Sequence, residues 1–146
     1  MPTIHANNMD IAYNDQGSGD TPIVLVHGFP LDKRMWEPQV QGLSGEFRII
    51  TPDLRGHGES QVTPGPYTMD LLADDLKGFL DALNLQQVVL GGFSMAGYVA
   101  FSFYRKYPER INSLMLLDTR PQPDSEDAKK GREDMAQLAE REGTGP

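Results

Sequence analysis

The chain has 146 residues, of which 38% are hydrophobic and 23% charged, and its formal net charge is −8 at pH 7. This size and composition predict one globular domain with a real core, and the acidic balance argues against nucleic acid or an anionic membrane as a partner. The absence of cysteine excludes disulfides, thiolate metal sites and cysteine nucleophiles. No apolar stretch reaches the roughly 18 residues of a membrane span, and residues 1–5 lack a signal-peptide pattern, so we expect a cytoplasmic protein.

The chain begins with strand patterns. Thr3–Ala6 and Met9–Tyr13 are short alternating segments. They are joined by Asn7 and Asn8, residues that tolerate positive φ, so an antiparallel hairpin is predicted. After a glycine-rich loop, the apolar run Pro22–Val26 predicts a strand buried on both faces of a parallel sheet.

The middle of the chain alternates between helix and strand. The sequence predicts a short helix over Met35–Leu43, a strand over Phe47–Thr51 and a glycine- and proline-rich loop over 55–66. The clearest helix is predicted over Tyr67–Leu83. Its apolar residues recur at helical spacing and form one stripe, made of Leu72, Leu76, Phe79, Leu80 and Leu83, whereas Asp74, Asp75, Lys77 and Asp81 lie off that stripe.

A strand over 87–91, a helix over 95–107 and a strand over 111–117 complete the pattern. Strands that alternate with helices imply right-handed crossovers and a parallel sheet covered on both faces. We therefore predict a three-layer α/β fold. Its mixed, mostly parallel sheet has six strands with helices on both faces, and the first two strands form an antiparallel edge.

The composition changes after residue 120, because residues 121–146 hold eleven charged side chains and few apolar ones. We therefore divide the chain into a core over 1–120 and a second segment over 121–146. Within this segment the pattern predicts an exposed helix over Asp124–Glu142, with Met135 and Leu138 on its inner side.

The most informative motif is the turn that follows the fifth predicted strand. Gly92, Ala96 and Gly97 surround Ser94, and such small residues let a strand and a helix meet at a sharp angle around an exposed serine nucleophile. Two other interpretations are open: Ser94 could cap the following helix, or the turn could hold a phosphate. The glycine spacing of dinucleotide sites and the P-loop lysine are absent, and we favour the nucleophile.

A second turn, His27-Gly28-Phe29-Pro30, follows the third strand. Gly28 allows a sharp turn, and Pro30 has no N–H, so the amide of Phe29 is the available donor. Together with the amide of Met95 it would form an oxyanion site, although the segment could equally be an ordinary strand-end turn. We expect His27 itself to be a packed, hydrogen-bonded side chain that points inward.

Polar residues also follow the fourth and sixth strands. The loop Asp53–Ser60 looks like a catalytic cluster, but we expect a structural role in which Asp53 and Arg55 satisfy the backbone and charges of the loop. His57 as a general base is the less favoured alternative. Asp118 could orient a histidine at the carboxyl ends of the strands, but a strand-end or capping role is preferred.

Together these segments resemble the α/β-hydrolase superfamily, and especially the 3-oxoadipate enol-lactonases and the related small esterases and perhydrolases. The likeness is carried by the turn 92–97, by the segment His27–Trp36 and by the loop Arg55–Ser60. It covers the core over 1–120 well and the remainder loosely. Ala96 stands where this turn commonly has a second glycine, a small-for-small change.

The resemblance implies the first six strands of a hydrolase sheet, a Ser94 nucleophile, oxyanion amides on Phe29 and Met95, and a helical lid that begins in residues 121–146. In this family the catalytic acid normally follows a seventh strand and the histidine an eighth. Neither segment is found here, so we expect the first half of a hydrolase, cut inside its lid. A complete domain of this type runs to about 250 residues or more.

The expected activity is hydrolysis of a small ester or lactone through an acyl-serine, with no metal and no organic cofactor. Ser94 argues against a dehalogenase, which would have an aspartate there. The alternative is a non-catalytic fragment of the fold or an interaction module. In both cases we expect a complementary C-terminal chain, or a swapped homodimer, along residues 111–117, because an apolar edge strand invites association.

Overall fold

A computed structural model describes residues 2–143 of the chain. Strands and helices alternate along it as predicted. The strands are β1 (Thr3–Ala6), β2 (Met9–Gln16), β3 (Ile23–Val26), β4 (Ile49–Pro52), β5 (Val88–Phe93) and β6 (Ile111–Leu117), and the helices are α1 (Glu37–Leu43), α2 (Met69–Ala82), α3 (Met95–Lys106) and α4 (Glu126–Glu142). A 3₁₀ turn over Lys33–Trp36 precedes α1, so the helix predicted over Met35–Leu43 is split.

All six strands belong to one sheet, in the order β1-β2-β4-β3-β5-β6. The first two pairs, β1 with β2 and β2 with β4, are antiparallel, whereas β4, β3, β5 and β6 run parallel to one another. The predicted mixed, mostly parallel sheet with an antiparallel edge is therefore confirmed. Because β3, β5 and β6 are parallel neighbours, their carboxyl ends lie at the same end of the sheet.

Local sequence explains where several elements begin and end. Asn7 and Asn8 have φ values of +46° and +59°, the left-handed conformation of a two-residue hairpin turn, which confirms the predicted hairpin. Thr68 caps α2 because its hydroxyl accepts a hydrogen bond from the Leu71 amide at 3.1 Å. Helix α3 begins directly after Ser94 without such a side-chain cap.

Apolar side chains are buried on both faces of the sheet. The larger cluster lies under α2 and α3 and includes Phe79 and Phe103, neither of which is exposed to solvent. The smaller cluster lies under α1 and includes Trp36, Val40, Leu25 and Ile49. The apolar stripe predicted for α2 is confirmed, since its members are buried or packed at the edge of the larger cluster.

One charged residue of α2 is buried, although the helical pattern placed it off the apolar stripe. Asp75 accepts hydrogen bonds from the guanidinium of Arg55 at 2.5 and 2.7 Å and from the Asn7 side chain at 2.6 Å. Both members of the ion pair are less than 10% exposed. Arg55 therefore has the structural role predicted for it, but its partner lies on the helix, and the pair connects the 53–60 loop to α2.

The predicted helix of the second segment is present as α4, but its expected inner side is wrong. Met135 and Leu138 are 55% and 45% exposed, and α4 has no buried residue, because it extends over solvent instead of packing on the sheet. The predicted second segment runs to residue 146, and residues 144–146 lie outside the described part of the chain, as does Met1 of the predicted core. Between residues 2 and 143, no helix combines the length and apolar character that crossing a bilayer requires.

Candidate active site

Ser94 lies at the tip of the turn between β5 and α3. Its backbone has φ +51° and ψ −112°, a conformation that costs a non-glycine residue of order 1–3 kcal/mol and that clusters at functional sites. This backbone conformation fits the sharp strand-to-helix turn that the sequence predicted around the serine. The Ser94 side chain makes no capping hydrogen bond to α3, so the geometry does not support the helix-cap interpretation, and the hydroxyl is left available.

Small residues allow the close approaches around this turn. A Cβ atom added at Gly92 would lie 2.4 Å from the Ala96 carbonyl oxygen, and one added at Gly97 would lie 2.2 Å from the Thr119 hydroxyl. Gly28, on the neighbouring turn, faces Ser94 so closely that an added Cβ would be 3.2 Å from the serine Cβ. The sheet register therefore brings the two predicted turns into contact.

Ser94 opens into a cleft of about 290 Å³ that is also lined by Phe29 and Met95. Within residues 2–143, neither the Phe29 amide nor the Met95 amide donates a hydrogen bond to another protein group. Both predicted oxyanion donors therefore lie beside Ser94 and are available. That their N–H groups converge on one point near the serine hydroxyl stays a prediction.

None of the three histidines is placed beside Ser94 as a base. His27 is fully buried, and its Nε2 accepts a hydrogen bond from the Leu54 amide at 2.9 Å. Its Nδ1 therefore carries the proton that is donated to the Gly28 carbonyl at 3.0 Å, and burial lowers the pKa of this ring. The packed, inward-pointing His27 that the sequence predicted is confirmed.

The other two histidines also have structural partners. His57 donates from Nδ1 to the Arg55 carbonyl at 2.9 Å, and its ring lies 6.1 Å from that of Phe29, centroid to centroid. It does not line the cleft at Ser94. His5 lies on the edge strand β1 and contacts Asp10 at 2.8 Å, at the opposite edge of the sheet from β6.

The polar loop after β4 has a structural role, with a partner that the sequence did not reveal. Asp53 accepts hydrogen bonds from the Lys33 amide at 2.7 Å and from the Lys33 Nζ at 2.6 Å. The same ammonium contacts Glu59 at 2.6 Å. Burial opposes the charge of Lys33, but the bonds to Asp53 and Glu59 outweigh it and raise the pKa of the lysine. These contacts hold the 28–33 turn against the loop.

Residues that follow β6 in the chain also line the cleft. Asp118 is exposed there and has φ +45°. Arg132 of α4 donates to Asp124 at 2.6 Å, and Arg120 lies 3.7 Å from the same carboxylate. Asp118 was a candidate from the sequence, whereas Arg120, Asp124 and Arg132 were not singled out, because only the fold brings α4 beside the strand ends. Among residues 2–143 no group of histidine and acidic side chains is arranged to hold a metal ion.

Comparison with known proteins identifies the family of this chain. Residues 21–142 match the model of a family described as alpha/beta hydrolase fold. The 3-oxoadipate enol-lactonase 2 of Acinetobacter baylyi is 29% identical over 145 residues, which cover 99% of this chain and 53% of that protein.

Solved structures agree with this match. A malate-bound thermophilic esterase from Thermogutta terrifontis has a TM-score of 0.91 and 50% sequence identity, over 99% of this chain and 54% of that one. The enol-lactonase from Burkholderia xenovorans LB400 has a TM-score of 0.86 and 31% identity, over 97% of this chain and 55% of that one. The chain therefore spans about half the length of these relatives.

Proposed function

This chain belongs to the alpha/beta hydrolase fold family, and from that premise we propose that it carries the nucleophile and the oxyanion site of a serine hydrolase for a small ester or lactone. The observation that carries the proposal is the half-buried Ser94 at φ +51°, which lines one cleft with two available backbone amides. The similar proteins, an esterase and two enol-lactonases, support this substrate class.

In the proposed reaction Ser94 Oγ attacks the carbonyl carbon of the ester while its proton passes to a histidine. The carbonyl oxygen becomes an oxyanion that accepts hydrogen bonds from the Phe29 and Met95 amides. The C–O bond to the leaving group then breaks, the leaving oxygen takes the proton from the histidine, and an acyl-serine remains. Water, deprotonated by the same histidine, attacks the acyl carbon. The bond from that carbon to Ser94 Oγ then breaks, the histidine returns its proton to Oγ, and the acid is released. No step needs a metal or an organic cofactor.

The histidine and its acid partner are proposed to come from a polypeptide segment other than the one described. This is supported by the structural partners of His27 and His57 and by the greater length of the relatives. A complementary C-terminal chain, or a swapped homodimer, would pair along β6, which is an edge of the described sheet. The lid role of residues 121–146, the division at residue 120 and a cytoplasmic location also stay proposals.

A second candidate is a non-catalytic hydrolase-fold fragment or interaction module. The observation that favours it is the lack of a histidine at Ser94 among residues 2–143. The two candidates differ in one respect: only the first makes Ser94 chemically competent once a base is supplied.

The test is hydrolysis of p-nitrophenyl acetate by the chain alone and with the C-terminal half of the Thermogutta esterase added as a separate polypeptide. Alone, the chain should give at most the residual acceleration of about 10³–10⁴ over water that remains when a triad loses its base. The added half should raise turnover, and Ser94→Ala should abolish it. His57→Ala should leave it intact. Strong activity from the chain alone that is lost in His57→Ala would contradict the proposal.

A further inference from the structure

Both backbone polar groups of Ser94 are held by residues at the end of β6. The Ser94 amide donates to the Leu117 carbonyl at 2.9 Å. The Thr119 hydroxyl donates to the Ser94 carbonyl, also at 2.9 Å. The same carbonyl also accepts a hydrogen bond from the Gly97 amide of α3 at 3.0 Å. The strained residue is therefore fixed from outside its own turn, by a strand that follows it in the chain.

Asp118, which separates these two residues, explains how one strand end reaches both groups. Leu117 is the last residue of β6 and lies opposite Phe93 in the register of the sheet. Asp118 then adopts φ +45°, so the chain leaves the strand in a turn. The turn brings the Thr119 side chain onto the first turn of α3, where it fills the space beside Gly97. A non-glycine residue in this conformation is uncommon, and aspartate is one of the residues that tolerate it.

The hydrogen bond from Thr119 also determines the direction of a predicted oxyanion donor. The Ser94 carbonyl and the Met95 N–H belong to one planar trans peptide, so they point in opposite directions and cannot turn independently. A hydroxyl that holds the carbonyl on one side therefore aims the N–H toward the other side. Met95 lines the same cleft as Ser94, and its amide has no acceptor within residues 2–143.

We propose that Thr119 is a positioning residue, whose hydroxyl holds the Ser94–Met95 peptide so that the Met95 amide points at the developing oxyanion. The inference rests on the proposed function for its catalytic consequence, but its geometric part stands without it. A threonine that only fills space beside Gly97 would act through its methyl group. A positioning threonine acts through its hydroxyl, and these two roles are separable by substitution.

The experiment compares Thr119→Val, which keeps the shape and removes the hydroxyl, with Thr119→Ser, which keeps the hydroxyl and removes the methyl. Turnover of p-nitrophenyl acetate is measured with the C-terminal half of the Thermogutta esterase added, and the rate of Ser94→Ala is subtracted from the rate of each protein. We expect kcat to fall about tenfold in Thr119→Val at unchanged KM, and to be largely retained in Thr119→Ser. Thr3→Val, on the opposite edge of the sheet and exposed, is the matched control.

Nuclear magnetic resonance of the ¹⁵N-labelled chain gives a readout that needs no turnover. The Met95 amide resonance should move in Thr119→Val and return toward the wild-type position in Thr119→Ser. An unmoved Met95 resonance in Thr119→Val, or equal kcat losses in both variants, would overturn the proposal. If no Ser94-dependent turnover is found in any protein, the proposed function fails, and the resonance alone decides the role of Thr119.

Discussion

Substitution of Gly92 by alanine should damage the serine turn more than its size suggests. The added Cβ would lie 2.4 Å from the Ala96 carbonyl oxygen and 2.7 Å from its carbonyl carbon, whereas ordinary contact begins at 3.4 Å. Both contacts are with backbone atoms, so no side chain can rotate away, and β5 must separate from α3 by about 1 Å. Overpacking of this kind costs about 1–3 kcal/mol, and a misplacement of about 1 Å can lower a rate 10²-fold.

Two measurements check this prediction. Urea unfolding can be followed by the fluorescence of Trp36, the single tryptophan, whose ring lies 6.3 Å from that of Phe93, centroid to centroid, next to the serine. Ser94-dependent hydrolysis, measured with the complementing half, gives the rate. Gly131→Ala is the matched control, because nothing lies within 4 Å of an added Cβ there, and it should not destabilise the chain. If Gly92→Ala behaved like Gly131→Ala in both assays, the tight turn would not be required.

Three further outcomes follow from other parts of the structure. Burial lowers the pKa of the His27 ring below its unfolded value of 6.5. The buried neutral ring therefore contributes its full stability above pH 6.5, and this contribution is lost as the pH falls from 6.5 through the lower folded pKa. His27→Gln should flatten this part of the plot of urea midpoint against pH. Asp75→Ala leaves Arg55 buried without its partner and should cost about 3–5 kcal/mol in urea unfolding; a loss below about 1 kcal/mol would mean that the pair is solvated. If β6 is an association edge, the chain alone should sediment above the mass of a 16.2 kDa monomer. Leu116→Lys, at a 44% exposed position of β6, should shift the chain toward monomer. A wild-type chain that stays monomeric in dilute solution would count against the proposed edge pairing.

Much of the fold was predictable because each element has a local cause. Short-range sequence patterns predict the apolar strand that ends at Val26, the turn at Asn7 and Asn8 and the apolar stripe of α2. The structure contains each of them. The serine turn was predictable for the same reason, since Gly92 is required by its close approach to Ala96, four residues later.

The remaining features depend on contacts between residues distant in sequence. Asp75 is buried because Arg55, 20 residues earlier, reaches it, and Lys33 is buried between Asp53 and Glu59 for the same kind of reason. No periodicity signals either pair. The inner side expected for α4 failed because an amphipathic pattern predicts a packed face only where the sheet offers a surface, and α4 has no buried residue.

The central claim is that Ser94 becomes acylated, and intact-mass and peptide mass spectrometry after exposure to a p-nitrophenyl ester test it most directly. We predict one added acyl group on the peptide that contains Ser94, formed slowly by the chain alone and faster when the C-terminal half of the Thermogutta esterase is present. Ser94→Ala should carry none. A chain that stays unmodified at Ser94 even with the complementing half bound, or that is acylated on another residue, would contradict the account.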